Sequence, residues 1–523
     1  FTVGNAVRDQ FTAGVQGKGL SAPFTNFLSS MGHLWKKDEV WQKFLREGGA
    51  SGVFGDLKTY FDKDIWQLNK ETGFMDNAFN VMKHPLEALD AVNQFVENIP
   101  RITEFKKAGM GKEGAYAARE VTIDFSRRGS SEALKVWAEA TPFLNAGIQG
   151  LDKFGRTIKE NPGKTFATGI ATITIPTVAF WLYNKDNSRV NSLPQWQRDL
   201  YWMFATDSWE PSLNIEDAMS RPEDQRRQKN GVWEVNNGTI YKIPKPFTYG
   251  LLFGTLVERI LDKLYKQDPN AFKGFGETIV KGISPFALPA LATPVVEQFY
   301  NKVIFTGRDL VPFDLENVNT DLQYREYTSE TAKAVGKMIG YVPMLGELGP
   351  KDVKLSSPLV VDNYIRSWAG TFGQYVVQAL DKGLKASQIV KTNGEEPIKT
   401  LADIPAIKAF VVRYPNSGLQ PIQDFYDSYR DSERTRNSFA KLKAEGRFDD
   451  ANELVKNNPE DFMKLDFIKK SIGELHKSIR KIHINPTISG VEKRQLIDSA
   501  YYKMNEIAKA GNKIVEQFKD KEK

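Results

Sequence analysis

The side chains that most often do chemistry are sparse in this chain. Its four histidines, His33, His84, His476 and His483, stand singly. None has the spacing of a metal site, and His476 and His483, seven apart on one helix face, read as solvated positions. There is no cysteine, which removes disulfides, zinc–thiolate centres and thiol nucleophiles. The nearest approach to a phosphate-binding loop is Gly163-Lys164-Thr165, but Ile158 stands where its first glycine belongs. Carboxylates are plentiful without announcing a glycosidase pair, whose members are usually invisible in sequence. The expectation is a protein with no catalytic, cofactor-binding or metal-ligating residues. Arg127 and Arg128 in DFSRRG admit two readings, a helix stop set by the macrodipole and a glycine cap, or a contact to phosphate or a partner.

The chain that would position any such residues is long enough for two or three folding units, at 523 residues. Its 41% apolar content excludes a disordered chain. Seventy-one basic against 65 acidic residues leave a net charge of +6, which suits contact with DNA or anionic lipid without demanding it. The sequence opens on Phe1 with neither initiator Met nor signal pattern, and reads as part of a longer polypeptide.

Residues 1–97 carry apolar positions at helical spacing, among them Leu34, Trp35, Val40, Trp41, Phe44 and Leu45. Thr165 to Asn184 is twenty residues without charge, bracketed by Lys164 and Lys185, the length that crosses a bilayer. Five threonines, Gly169 and Pro176 lower its hydrophobicity, so a buried core segment competes with membrane entry. Ile175, Phe180, Trp181, Tyr183, Trp196 and Trp202 are the candidate membrane or interface residues, because amphipathic aromatics gather at lipid headgroups. VWEVNNGTIYKI predicts one β-hairpin turning at Asn237-Gly238. The amphipathic helix that follows carries Gly250 and Gly254, spaced to let two helices approach closely.

Residues 386–457 read as a linker with short helices. The final stretch, 458–523, predicts an antiparallel heptad hairpin. Leu465, Ile468, Ile472, Leu475, Ile479 and Ile482 form its first seam, the break falls at Asn485-Pro486, and Ser489 with Glu492 makes a capping box. The fold class is therefore mainly α, a multi-helix bundle with one small β-hairpin and a C-terminal antiparallel helical hairpin.

Taken in order, NIPRITEFKKAG, AAREVTIDFSRRG, PFLNAGIQGLDKFGRTI, LPQWQRDLYWMF, IPKPFTYGLLFGTLVERILD and SPLVVDNYIRSWAG resemble the large polyvalent protein-associated domain of tailed phages. The resemblance runs from about Asn98 to Leu384, so residues 98–385 are taken as that domain. The family-like positions are Arg101, Phe105, Asp124, Phe125, Arg127, Arg128, Gly129, Pro142, Phe143, Asn145, Gln149 and Pro246. The family offers no catalytic residues to carry over.

What this resemblance implies is an internal virion, or ejection, protein of a short-tailed phage. Such a protein is held in the virion interior and expelled to the host periplasm and inner membrane, where it oligomerises into part of a conduit for genome delivery. Its implied partners are copies of itself, other virion, portal or tail proteins, double-stranded DNA contacted without sequence reading, and the host inner membrane. Two other classes stay open: a fragment of a large virion enzyme that cleaves peptidoglycan or polymerises nucleotides, and an injected effector acting on a host partner.

Overall fold

A computed structural model describes residues 2–16, 26–50, 85–122, 144–283, 288–289, 291–325, 327–386, 394–404, 407–462 and 465–520. The protein is mainly helical with small antiparallel sheets. It divides into two compact units. The first comprises Phe1–Tyr183, Arg198–Met203 and Lys242–Pro289; the second comprises Asn184–Gln197, Phe204–Tyr241 and Ala290–Lys523.

In the first unit, one core gathers Leu34, Phe44, Ile99, Ile102 and Phe105 with Ala115 and Ala118. Helix Glu39–Arg46 delivers Phe44 to it. Asp38 caps that helix by accepting from the backbone N–H groups of Val40 and Trp41, as an acidic N-cap should. Helix Pro85–Lys107 opens on a proline, which loses no helical bond at that position. A second core joins Val15, Ile173, Trp202, Tyr249 and Phe253.

Six strands are present among the described residues: β1 (Tyr201–Ala205), β2 (Trp209–Pro211), β3 (Arg226–Lys229), β4 (Val232–Asn236), β5 (Ile240–Pro244) and β6 (Val411–Val412). They form two sheets, ordered β1-β5-β6 and β2-β4-β3. The expected hairpin at Asn237-Gly238 is thereby corrected, because the strands on either side of that turn belong to different sheets. Strand β4 pairs instead with β3, Lys229 opposite Val232. The turn between them is Asn230-Gly231, both residues at positive φ (51° and 79°), the backbone that two-residue hairpins require. At Gly238 the constraint is space: an added Cβ would overlap the Thr206 carbonyl. Arg189, fully buried, holds this corner by donating to Gly238 O at 2.6 Å and Thr206 O at 2.9 Å.

The C-terminal hairpin forms as its heptads predict, with helix Asp466–Ile484 against Gly490–Asp520. Leu465, Ile472 and Ile479 are buried, and Ile468, Leu475 and Ile482 are half-buried. His476 departs from expectation. It is buried, with Nδ1 accepting from Arg325 Nη1 at 3.0 Å. The region read as a linker contains a 25-residue helix, Gln420–Ala444. Its described part at residues 394–398 is docked on the hairpin's turn: Ile398 N–H donates to Gly490 O, and the buried Lys493 donates to Glu395 O and His483 O.

Candidate functional site: a helix with its polar face inward

The most unusual surface belongs to helix Pro162–Asn184, in the first unit, the one helix among the described residues long and apolar enough to cross a membrane. Pro162 starts it without loss, and the Thr165 N–H returns to Asn161 O. Its middle is a wide turn, Ile170–Thr174, in which the Ile175 N–H bonds to Ile170 O, five residues back. Pro176 follows directly. Its ring and missing N–H disrupt the regular ladder, which accounts for the widening.

The two faces of this helix are reversed relative to a soluble one. Thr165, Thr168, Gly169 and Thr177 face the interior beside Ile173 and Trp181. Phe166, Ala167, Ile170, Ala171, Ile175, Ala179, Leu182 and Tyr183 face out, with Ile175 60% exposed. Water should drive the opposite arrangement, since apolar area left exposed forgoes roughly 25 cal/mol per Å² of burial. Exposed apolar residues gathered on one helix face are the kind of surface that meets lipid or a partner.

The interior side is occupied by a second helix over 247–265, which carries its own wide turn at Leu251–Thr255. The helices run parallel, Gly169 and Thr174 meeting Phe253, Gly254 meeting Thr177, and Trp181 meeting Asp262. Glycine is needed at Gly169, where a Cβ would lie 2.7 Å from the Phe253 ring; at Gly254 a Cβ would lie 3.3 Å from Thr177 Oγ1, a close contact that needs a shift of only a few tenths of an ångström. Three polar contacts tie the threonine side down. Thr174 Oγ1 donates to Phe253 O at 2.8 Å, Trp202 Nε1 donates to Thr177 Oγ1 at 2.7 Å, and Trp181 Nε1 donates to Asp262 at 2.8 Å.

Charged groups are buried along the same interior and are paired. Arg259 donates to both oxygens of Asp199, at 3.1 and 2.7 Å, and to Ala271 O at 2.6 Å. Lys245 meets the Glu258 carboxylate at 2.5 Å and donates to Arg198 O. Such pairing is what makes charge tolerable away from water. Outward, this second helix shows Phe247, Ile260, Leu264 and Tyr265, with Leu264 67% exposed. It too turns apolar residues outward and pairs Glu258 and Arg259 inward, while Lys263 is exposed among the outward residues.

The candidate residues named from sequence are thus divided. Ile175 and Tyr183 lie on the outward face. Trp181 and Trp202, expected at a lipid headgroup level, turn inward, because each indole N–H has a buried acceptor; Trp202 is 1% exposed. Phe180 stacks on Trp202 at 6.4 Å, and Trp196, in the second unit, is half-buried with an edge contact to Phe305. Gly250 lies close to Lys245 and Gly254 at the helix crossing.

Arg101 is buried, donating to Thr122 Oγ1 and Glu97, and Phe105 is core. Gln149 is half-buried, and Pro246 is buried as it starts the second helix. Asn145 belongs to helix Leu144–Glu160. Asp124, Phe125, Arg127, Arg128, Gly129, Pro142 and Phe143 lie outside the described residues. Among the described residues, no three His, Asp or Glu side chains converge as a metal site would need.

Sequence reasoning missed the inward threonines and the paired ions. Thr165, Thr168, Thr172 and Thr177 recur at near-helical spacing, the signal from which a polar face could have been read.

Residues 187–407 match the family model of large polyvalent protein associated domain 38. Neither the curated proteins nor the solved structures contain a match to the chain. The matched stretch begins just after Asn184 and includes the second helix, Asp199, Trp202 and Lys245. Of the family-like positions, Pro246 falls inside it, whereas Arg101 to Gln149 lie upstream.

Proposed function

We propose that this is a phage-associated structural protein of the ejection class. It is carried in the virion interior, released toward the host envelope, and assembles with copies of itself into part of a conduit for DNA through the periplasm and inner membrane. The observation that carries this reading is the reversed polarity of helix Pro162–Asn184: polar groups sealed inside, an apolar stripe outside. Twenty uncharged residues at 1.5 Å per residue give about 30 Å, the hydrocarbon thickness of a bilayer. The matched domain supplies the phage association. In such an assembly the contact to DNA is to phosphates and carries no sequence information. The protein acts by assembly and performs no catalysis.

The test is dye release from vesicles containing anionic lipid, comparing the unaltered protein with Ile175→Asp. A carboxylate at the centre of a spanning helix costs about 3 kcal/mol, so release should fall on the order of a hundredfold. Equal release by both, or none by the unaltered protein, would remove the membrane part of the reading.

A second reading, a bond-breaking activity, is favoured by one observation. Burial and then the charge of Glu97 push the Asp9 carboxyl up to about 7, where a general acid or base works well. Digestion of purified peptidoglycan that disappears in Asp9→Asn would establish that reading over the first.

A further inference from the structure

We infer that the element meeting lipid is the parallel helix pair, with the helix over 247–265 still seated on the threonine side of Pro162–Asn184, and not the single apolar helix drawn out alone. The inference rests on the membrane reading above and specifies which part of the chain enters.

The polar inward groups of Pro162–Asn184 sort into two kinds. Thr165, Thr168 and Thr172 satisfy themselves within their own helix, bonding back to Asn161 O, Lys164 O and Thr168 O. Thr174, Thr177 and Trp181 do not. Their partners are Phe253 O and Asp262, both on the second helix, and Trp202, on strand β1 of the same unit. Drawing the helix out alone would carry these groups into hydrocarbon unpaired. It would also strip Thr174 from Phe253 O, which lies within the second helix's own wide turn. In a bilayer, irregular helix turns are tolerated where a neighbouring threonine satisfies the freed carbonyl, and this crossing supplies that arrangement.

The crossing also has the other property that holds helices together without help from water. Gly169 and Gly254 lie in it, letting the backbones approach closely, and such contact does not weaken when water is replaced by lipid. Outward, both helices offer lipid-compatible side chains: Phe166, Ile170 and Ile175 on one, Phe247 and Ile260 on the other. The second helix's inward ions, Glu258 and Arg259, are paired with Lys245, two residues before that helix, and with Asp199 on helix Gln195–Leu200. Lipid is the committed occupant of the outward face because its charge-free length matches the hydrocarbon layer and lysines bracket it at both ends, Lys164 and Lys185.

The absence of cysteine makes a clean test available. Thr177→Cys with Gly254→Cys places two thiols across the crossing, where a Cβ on Gly254 lies 3.3 Å from the Thr177 hydroxyl. The oxidised, locked protein and its reduced form are added to vesicles of three parts phosphatidylcholine to one part phosphatidylglycerol, beside the unaltered protein. The expected result is binding and dye release by the locked form within about twofold of the reduced form. A locked form that is silent while the reduced form is active would overturn the inference and leave the membrane reading standing. Silence of the unaltered protein removes both. Should the first pair fail to fold, Ile173→Cys with Gly254→Cys repeats the comparison at the same crossing.

Discussion

His476 provides a sharp test of the buried network in the second unit. Its Nδ1 accepts from Arg325 Nη1 at 3.0 Å, so the neutral ring carries its proton on Nε2, and Arg325 also contacts Asp314. A protonated ring would turn an N–H toward the guanidinium. Burial, then the charge of Arg325, pushes His476 down to about 3. In the unfolded chain an imidazole titrates near 6.5. Above pH 6.5 both states are neutral and the histidine makes no pH-dependent difference. As pH falls below 6.5 the unfolded state takes up a proton that the folded state refuses, so stability is lost progressively toward pH 3. At pH 5 the loss is about 1.5 pH units at ~1.36 kcal/mol each, or about 2 kcal/mol. His476→Gln retains an acceptor for Arg325 and does not titrate. Urea denaturation at pH 7 and pH 5 should therefore show the unaltered protein losing about 2 kcal/mol more than the variant over that interval. Asp314, held below the usual carboxylate range, contributes stability present at neutral pH and lost only as pH falls through the carboxylate range, below the interval compared. Parallel pH dependence in the two would refute the reasoning.

Two further outcomes follow from packing. Gly169→Ala should lower Tm, because its Cβ would press within 2.7 Å of the buried Phe253 ring; overpacking costs about 1–3 kcal/mol, against a helix gain of about 1 kcal/mol. Arg189→Met should destabilise the second unit by about 3 kcal/mol, since it leaves Gly238 O and Thr206 O without their charged donor; an unchanged denaturation midpoint would argue against this pin.

Much of the helical architecture was legible because periodicity reports burial directly. The C-terminal seam shows this: Leu465, Ile472 and Ile479 are spaced by heptads and all are buried. The β region was misread for a physical reason. Two Asn-Gly pairs fall between Arg226 and Pro244, and the alternating apolar pattern favours Asn237-Gly238. The true turn at Asn230-Gly231 joins β4 to a strand, Arg226–Lys229, whose side chains are mostly exposed and polar, and which therefore lacks that pattern. His476 sits in a lysine-rich run and looked solvated, but its partner Arg325 is 151 residues away. The charge-free length of Pro162–Asn184 was readable; the outward direction of its apolar face was not. Hydropathy records how apolar a residue is and not which way it points, and the wide turn before Pro176 shifts the phase partway along. The paired ions Asp199–Arg259 and Lys245–Glu258 join residues 60 and 13 apart, distances at which sequence carries no pairing signal.

On the proposed function, the outward stripe of Pro162–Asn184 contacts hydrocarbon. The direct measurement is an environment-sensitive fluorophore on Ile175→Cys, in a chain with no other thiol, read with and without vesicles. A blue shift together with quenching by nitroxides deep in the lipid chains, and protection from aqueous iodide, is the predicted result. Emission that stays water-like and equally open to iodide in both conditions would contradict the account.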